Sequence, residues 1–317
     1  MFKSLLFFLM SCLGCSFLHA DYPDKTIRLV VPFPAGGGAD AVARLVAERL
    51  SARLDQTVMV DNRAGAGGSI GALAVANAPS DGYTLLINNN GHAIVPSLQP
   101  VTWDPVKDFV AISQVSVLPM IIFTNAKSPI TSIDQLISLA KSSNKIMTYG
   151  SSGIGGPLHL GMELFAKRAD IKLLHVPYKG NAPMVSALLG GEIDLSLDTR
   201  AISYPLTQQG KLRALAVLSS KRLKSTPELP TINELGLTGF TYEGWQGIFA
   251  PKNTPPAVVA KLNKELNSMI EQADVRKKLE DLGNEPHPST PKEFSDLVQS
   301  EYIRYKKIIT ENQIKGE

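Results

Sequence analysis

An apolar, β-branched stretch at residues 26–31 runs into a turn containing Gly36, Gly37 and Gly38, after which the hydrophobic period becomes that of a helix. From Ala41 onward, Val42, Leu45, Val46, Leu50 and Leu54 fall on one face. A strand feeding a helix through a tight turn is half of a βαβ unit, and such units build parallel sheets covered by helices. The pattern recurs with a strand at 57–60, a glycine-rich loop at 62–71, a small-residue helix at 72–78 and a strand at 83–87. The fold class is therefore α/β.

A second alternation starts near residue 125. A strand at 121–123 precedes Ser132-Ile133-Asp134-Gln135, which has capping-box spacing. Helix 133–142, strand 145–149, a glycine-rich turn at 150–156, helix 159–168 and strand 172–176 follow. Helix 182–189 and strands 193–197 and 213–217 complete this unit. After Trp245, a strand at 247–250 and helices at 256–272, 274–282 and 291–310 return to the first unit. The expectation is two facing α/β lobes. Residues 21–124 and 246–317 form a discontinuous first lobe and 125–245 the second, with crossovers at 123–127 and 243–247.

Residues 1–20 stand apart. Lys3 begins a short positive segment, the run from Leu5 to Leu18 is apolar or small, and Ala20 offers a small residue at a cut site. This reads as a cleaved export signal, since the run is shorter than the roughly 20 residues of a membrane span. A lipoprotein cut at Cys12 is the competing reading, with Met10 a poor fit before Ser11. Cleavage near Ala20 would remove both cysteines, Cys12 and Cys15, leaving a chain without thiol chemistry or disulfides. With Lys+Arg 32 against Asp+Glu 29, nothing in the charge balance points to nucleic acid.

The two glycine turns each lie between a strand and a helix. Ligands of open α/β sheets bind beyond the carboxyl ends of strands, and a helix N-terminus presents unpaired N–H groups with a partial positive charge. A carboxylate suits such an end, although a glycine turn of this kind can also be purely structural. Neither turn is followed by Gly-Lys-Ser/Thr or fits a dinucleotide fingerprint. The histidines are scattered without metal-ligand spacing, and Gly150-Ser151-Ser152-Gly153 lacks the nucleophile-elbow pattern. No cofactor, metal or catalytic residue is expected. Ser151 and Ser152 are candidate hydroxyl donors to an oxyanion. His159 is either a cap for its helix or a ligand contact.

The segment 32–40, Asp61-Asn62-Arg63-Ala64-Gly65-Ala66-Gly67-Gly68, Asp81-Gly82-Tyr83-Thr84, Val176-Pro177-Tyr178-Lys179-Gly180 and Trp245-Gln246-Gly247-Ile248-Phe249-Ala250-Pro251 together resemble the Bug family. These are periplasmic receptors of tripartite tricarboxylate transporters. Asp61 and Ala64 depart from the family's Glu and Pro. The resemblance implies a monomeric, type II-like two-lobed α/β periplasmic binding protein with a ligand cleft between its lobes, closing on a di- or tricarboxylate, an acidic amino acid or an aromatic carboxylate. Its partners would be two integral-membrane transporter subunits, or alternatively a sensor kinase; an exported α/β hydrolase is the rival class. Ligand contacts would map to Phe33, Ala35, Gly36, Gly37 and Asp40, to Asn88, Asn89 and Asn90, to Ser151, Ser152, Gly153 and Gly155, and to Asp198. Arg200 is expected either to fork onto a second ligand carboxylate or to lie in solvent.

Overall fold

The computed structural model describes residues 22–142 and 146–316. The export segment, its cut site and Lys145 of one expected strand lie outside the described residues. From the N-terminus the elements are β1 (Ile27–Val31), α1 (Gly38–Leu54), β2 (Val58–Asn62), α2 (Ser69–Ala76), β3 (Thr84–Asn89), α3 (Gly91–Leu98) and the long β4 (Phe109–Asn125). Next come α4 (Ile133–Ser142), β5 (Met147–Ser151), α5 (Pro157–Ala169), β6 (Leu173–Pro177), α6 (Asn181–Gly190), β7 (Leu195–Thr199), α7 (Arg200–Gln208) and β8 (Leu212–Val217). The chain ends with β9 (Glu243–Pro251), α8 (Pro256–Ile270), α9 (Ala273–Asp281), the short β10 (Glu285–Pro286) and α10 (Pro291–Glu311).

These strands form a sheet in the order β2-β1-β3-β9-β4-β7-β5-β6, with β8 and β10 also pairing β4. Parallel triads sit at the two ends, with β1 between β2 and β3 and β5 between β6 and β7. Between them β9 and β4 run antiparallel to their neighbours. Partner exchange in β4 marks the passage between the halves: it pairs with β9 as far as Pro119 and with β7 from Met120. The result is the two-lobed α/β architecture expected from the alternation of elements.

Apolar alternation positions each helix. Ile27, Leu29 and Val31 of β1 bury against Val42, Val46 and Leu50 of α1, and Leu262 and Leu266 of α8 close the same core. In the second half Tyr149, Phe165, Met184 and Leu197 are buried in a cluster that also takes Val298, Tyr305 and Ile308 of α10. Each such side chain contributes about 1.5–3 kcal/mol. The C-terminal helices thus return to the first half, and α10 also reaches the second.

Three differences from the sequence expectation have local causes. The strand expected at 121–123 spans 17 residues in β4. Its period is hidden by register shifts near Ala111 and Gln114 and by buried Ser113, Gln114 and Ser116. Helices α3 and α7 were not expected because Pro96 and Pro205 lie inside them, and an internal proline forfeits a backbone hydrogen bond. At α4, Ser132 Oγ accepts from Gln135 N–H as its capping spacing implies, but Gln135 Oε1 accepts from Thr131 N–H and Oγ1. A full reciprocal capping box forms instead at Thr290 and Glu293 of α10.

Candidate functional site

The first glycine turn is held by the acid that follows it. Gly36 has φ +84, a conformation open to glycine, and this bends the chain so that Asp40 Oδ2 accepts from Gly36 N–H at 2.9 Å. Asp40 is buried and also accepts from Arg44 Nε at 2.9 Å and Asn62 Nδ2 at 2.9 Å. The Arg44 hydrogen bond, with help from Gly36 and Asn62, holds its pKa at about 2 against the cost of burial. Asp40 thus anchors the turn with a carboxylate already fully engaged. Gly37 caps α1 without a side chain, so the opening N–H groups of the helix are left to whatever occupies the space in front of them. Phe33 packs on the core beneath α1, and Ala35 is exposed.

The second turn rests on two histidines. Ser151 is fully buried; its Oγ donates to Gly153 O at 2.9 Å and lies 2.7 Å from His175 Nε2. Gly155 N–H donates to His159 Nδ1 at 2.9 Å, fixing this ring as an acceptor at that nitrogen. Burial lowers both histidines to about 4, so both are neutral near pH 7. Gly156 then caps α5 without a side chain, and Pro157 occupies its first turn.

At the end of β7, Asp198 plays the organising part that Asp40 plays in the first half. It is fully buried and accepts from Asn181 Nδ2 at 2.8 Å, Thr199 N–H at 2.8 Å and Ser203 Oγ at 2.5 Å. Burial raises its pKa to about 6. Its bonds tie the start of α6 to the start of α7. Asn90 likewise works inside the protein, donating to Glu243 O and Tyr305 Oη and accepting from Trp245 N–H at 2.9 Å. Asn88 is buried beside His92.

A cavity of about 470 Å³ lies between the halves, and α1, α5, α6 and α7 all begin on its wall: Gly38 and Ala39, Pro157 and Leu158, Asn181, and Thr199 and Ala201. None of the four helices has a side-chain cap bonded at its N-terminus. Among the described residues lining it, none is charged. Such a site can hold an anion by backbone N–H groups and helix dipoles alone.

Of the residues singled out from the sequence, Asn89, Asn90 and Ser152 line this cavity. Gly36 and Gly37 set up the turn whose next residues, Gly38 and Ala39, form the wall. Asp40, Asp198, Ser151 and His159 shape the turns from behind, with Gly153 and Gly155 as their backbone partners. Arg200 is directed elsewhere: its Nη2 donates to Glu280 O, at the end of α9, at 3.2 Å. Asn181 and Thr199 were missed, although each stands where a strand-to-helix connection ends, the position that flags a ligand site. Gln246, which lies in the motif at 245–251, also lines the cavity, as do Gly283 and Asn284, which carry no local sequence signal.

Comparison with known proteins identifies the family of the chain. The family described as tripartite tricarboxylate transporter family receptor matches residues 42–314. Protein BugT of Bordetella pertussis is 35% identical over 297 residues, covering 93% of this chain and 91% of the relative. An R. palustris protein solved with adipate is 35% identical with a TM-score of 0.76, covering 94% of this chain and 100% of that one. MatC from Rhodopseudomonas palustris, solved with bound malate, is 31% identical with a TM-score of 0.72, covering 91% and 100%. The family resemblance read from the motifs is borne out.

Proposed function

The chain belongs to the tripartite tricarboxylate transporter receptor family, the Bug-type periplasmic solute-binding proteins, and on that premise we propose that its cavity captures a small organic carboxylate for transport. The observation that carries this reading is the convergence of four helix N-termini, none bonded to a capping side chain, on one cavity lined by no charged residue. Structural neighbours solved with adipate and malate favour a dicarboxylate. The ligand is bound and released unchanged, then presented to two integral-membrane subunits.

The lobes of this reading are residues 21–124 with 246–317 and residues 125–245. The exchange of β4 partners between Pro119 and Met120 supports that division. Ligand affinity for the closed arrangement then supplies the free energy that shifts the population toward it. Export to the periplasm follows from the segment at 1–20. The intact mass of periplasmic protein should correspond to a chain beginning at Asp21, and a lipid-modified chain beginning at Cys12 would replace that reading.

A thermal-shift screen tests the ligand class. Binding to the folded state alone stabilises by about 2.7 kcal/mol at a hundredfold excess over Kd. A carboxylate should raise the melting temperature clearly while sugars and nucleotides leave it unchanged. A shift with an uncharged sugar alone would overturn the anion site.

A further inference from the structure

Most side-chain amides on the cavity wall are already engaged within the protein. Asn89 Oδ1 accepts from Gly91 N–H, Asn90 bonds at both ends, Asn181 donates to Asp198, and Asn284 accepts from Ser116 Oγ and donates to Leu282 O. Gln246 differs. It is only 4% exposed, and its buried Oε1 has no hydrogen-bond partner among the described residues. An acceptor left so inside a protein carries the desolvation cost of a lost hydrogen bond.

Strand alternation fixes where that amide points. Gln246 pairs with Asn89 across β3 and β9, and the register between these strands is regular. Two residues on, Ile248 buries in the core beneath α1, whereas Trp245 and Phe249 bury in the other cluster. Gln246 therefore faces the α1 side, and it shares the cavity wall with Gly38, Ala39 and Gly283. Its backbone is held in the ladder between β3 and β4, so the amide cannot turn away without a rotamer change.

We infer that Gln246 reads a hydroxyl group on the ligand, so that the preferred substrate of this site is a hydroxycarboxylate and not the corresponding plain dicarboxylate. A hydroxyl is the substituent that fits either orientation of a terminal amide, donating to the oxygen or accepting from the nitrogen. The carboxylates themselves are served by the helix N-termini, which leaves Gln246 free for this second task. A site built to bond a ligand hydroxyl discriminates strongly against the analogue lacking it, because its own polar group is then stranded. This inference rests on the carboxylate reading of the cavity.

The test is calorimetric titration of the exported chain with four- to six-carbon dicarboxylates, each with and without one hydroxyl. In at least one pair the hydroxylated form should bind about tenfold or more tighter. Gln246→Met should remove that preference, and an unchanged far-UV circular dichroism spectrum with a cooperative melt shows that the variant is folded. Should the variant not fold, the comparison within each pair on the unaltered protein decides alone. Equal affinities in every pair would overturn the inference and mean that a water completes Gln246 in both complexes. Equal losses for both members in the variant would also overturn it, assigning Gln246 to general packing. Absence of binding by every carboxylate would instead remove the carboxylate reading on which the inference stands.

Discussion

The imidazole of His159 lies flat on that of His175, with ring centroids 3.7 Å apart and planes 12° from parallel. Both rings are bonded to the second glycine turn, His159 through Gly155 N–H and His175 through Ser151 Oγ. A proton on His159 Nδ1 would abolish the first of these bonds, and charges on both rings would repel at contact distance. The turn in front of the cavity is thereby coupled to the neutral state of two side chains that do not line it.

Acid should therefore weaken the fold through these two rings. Burial lowers both histidines from 6.5 to about 4. Between those values the unfolded chain binds protons that the folded chain does not, so stability is full above pH 6.5 and falls as pH drops toward 4. His175→Gln removes one titrating group from this window. Its denaturation free energy should change less between pH 7 and pH 5 than that of the unaltered protein, and identical slopes would show that the pair does not govern the response. His92, also lowered to about 4 by burial, leaves a residual slope in both, and Asp198, raised to about 6, opposes it equally in both.

Asp40 has the opposite signature. Held at about 2 against an ordinary 3.8, its contribution is fully present above about pH 4 and is lost as pH falls toward 2. Asp40→Asn should lower stability at pH 7 by about 1–2 kcal/mol, with the deficit shrinking below pH 4. It should also weaken ligand binding, since the Gly36 turn loses its anchor. Chemical denaturation at pH 7 and pH 3 checks the first point. A deficit of equal size at both values would mean that the lost bonds do not depend on the carboxylate's charge.

Gly38 opens α1 at the cavity, and a Cβ built there meets nothing within 4 Å. Gly38→Val should fold normally and place its side chain in front of the first helical N–H groups. Affinity should fall at least tenfold, about 1.4 kcal/mol. Gly37, whose Cβ would touch only Pro34 O at 3.7 Å, serves as the control, with Gly37→Ala expected to change affinity little. Unchanged calorimetric affinity in Gly38→Val would remove α1 from the anion site.

Arg200 bridges α7 to Glu280 O at 3.2 Å, beside the close approach of Gly283 to Ala201. It thus joins the two halves at the cavity edge without lining the cavity. Arg200→Leu should reduce affinity for mono- and dicarboxylates by the same modest factor, a few-fold, because it loosens the contact between halves. A loss confined to dicarboxylates would show instead that the guanidinium reaches a second ligand carboxylate.

The sequence by itself determined the α/β class, the position of nearly every strand in the two parallel triads, and the two glycine turns, because these follow from local periodicity and from where glycine interrupts it. Residues 26–31 and 41–54 suffice to read β1 and α1. The roles within those turns were decided only in three dimensions. Asp40 and Asp198 look like ligand groups in a linear reading, since one is an acid opening the helix after the first glycine turn and the other an acid at the carboxyl end of a strand. Packing gives each three internal donors, so their charge is spent on shaping the backbone. Gln246 shows the converse: in the sequence it is one residue of a strand motif, and only the neighbours brought by β3, β4 and α1 leave its amide oxygen without a partner. Whether a polar group is satisfied depends on neighbours distant in the chain, and no local pattern encodes that.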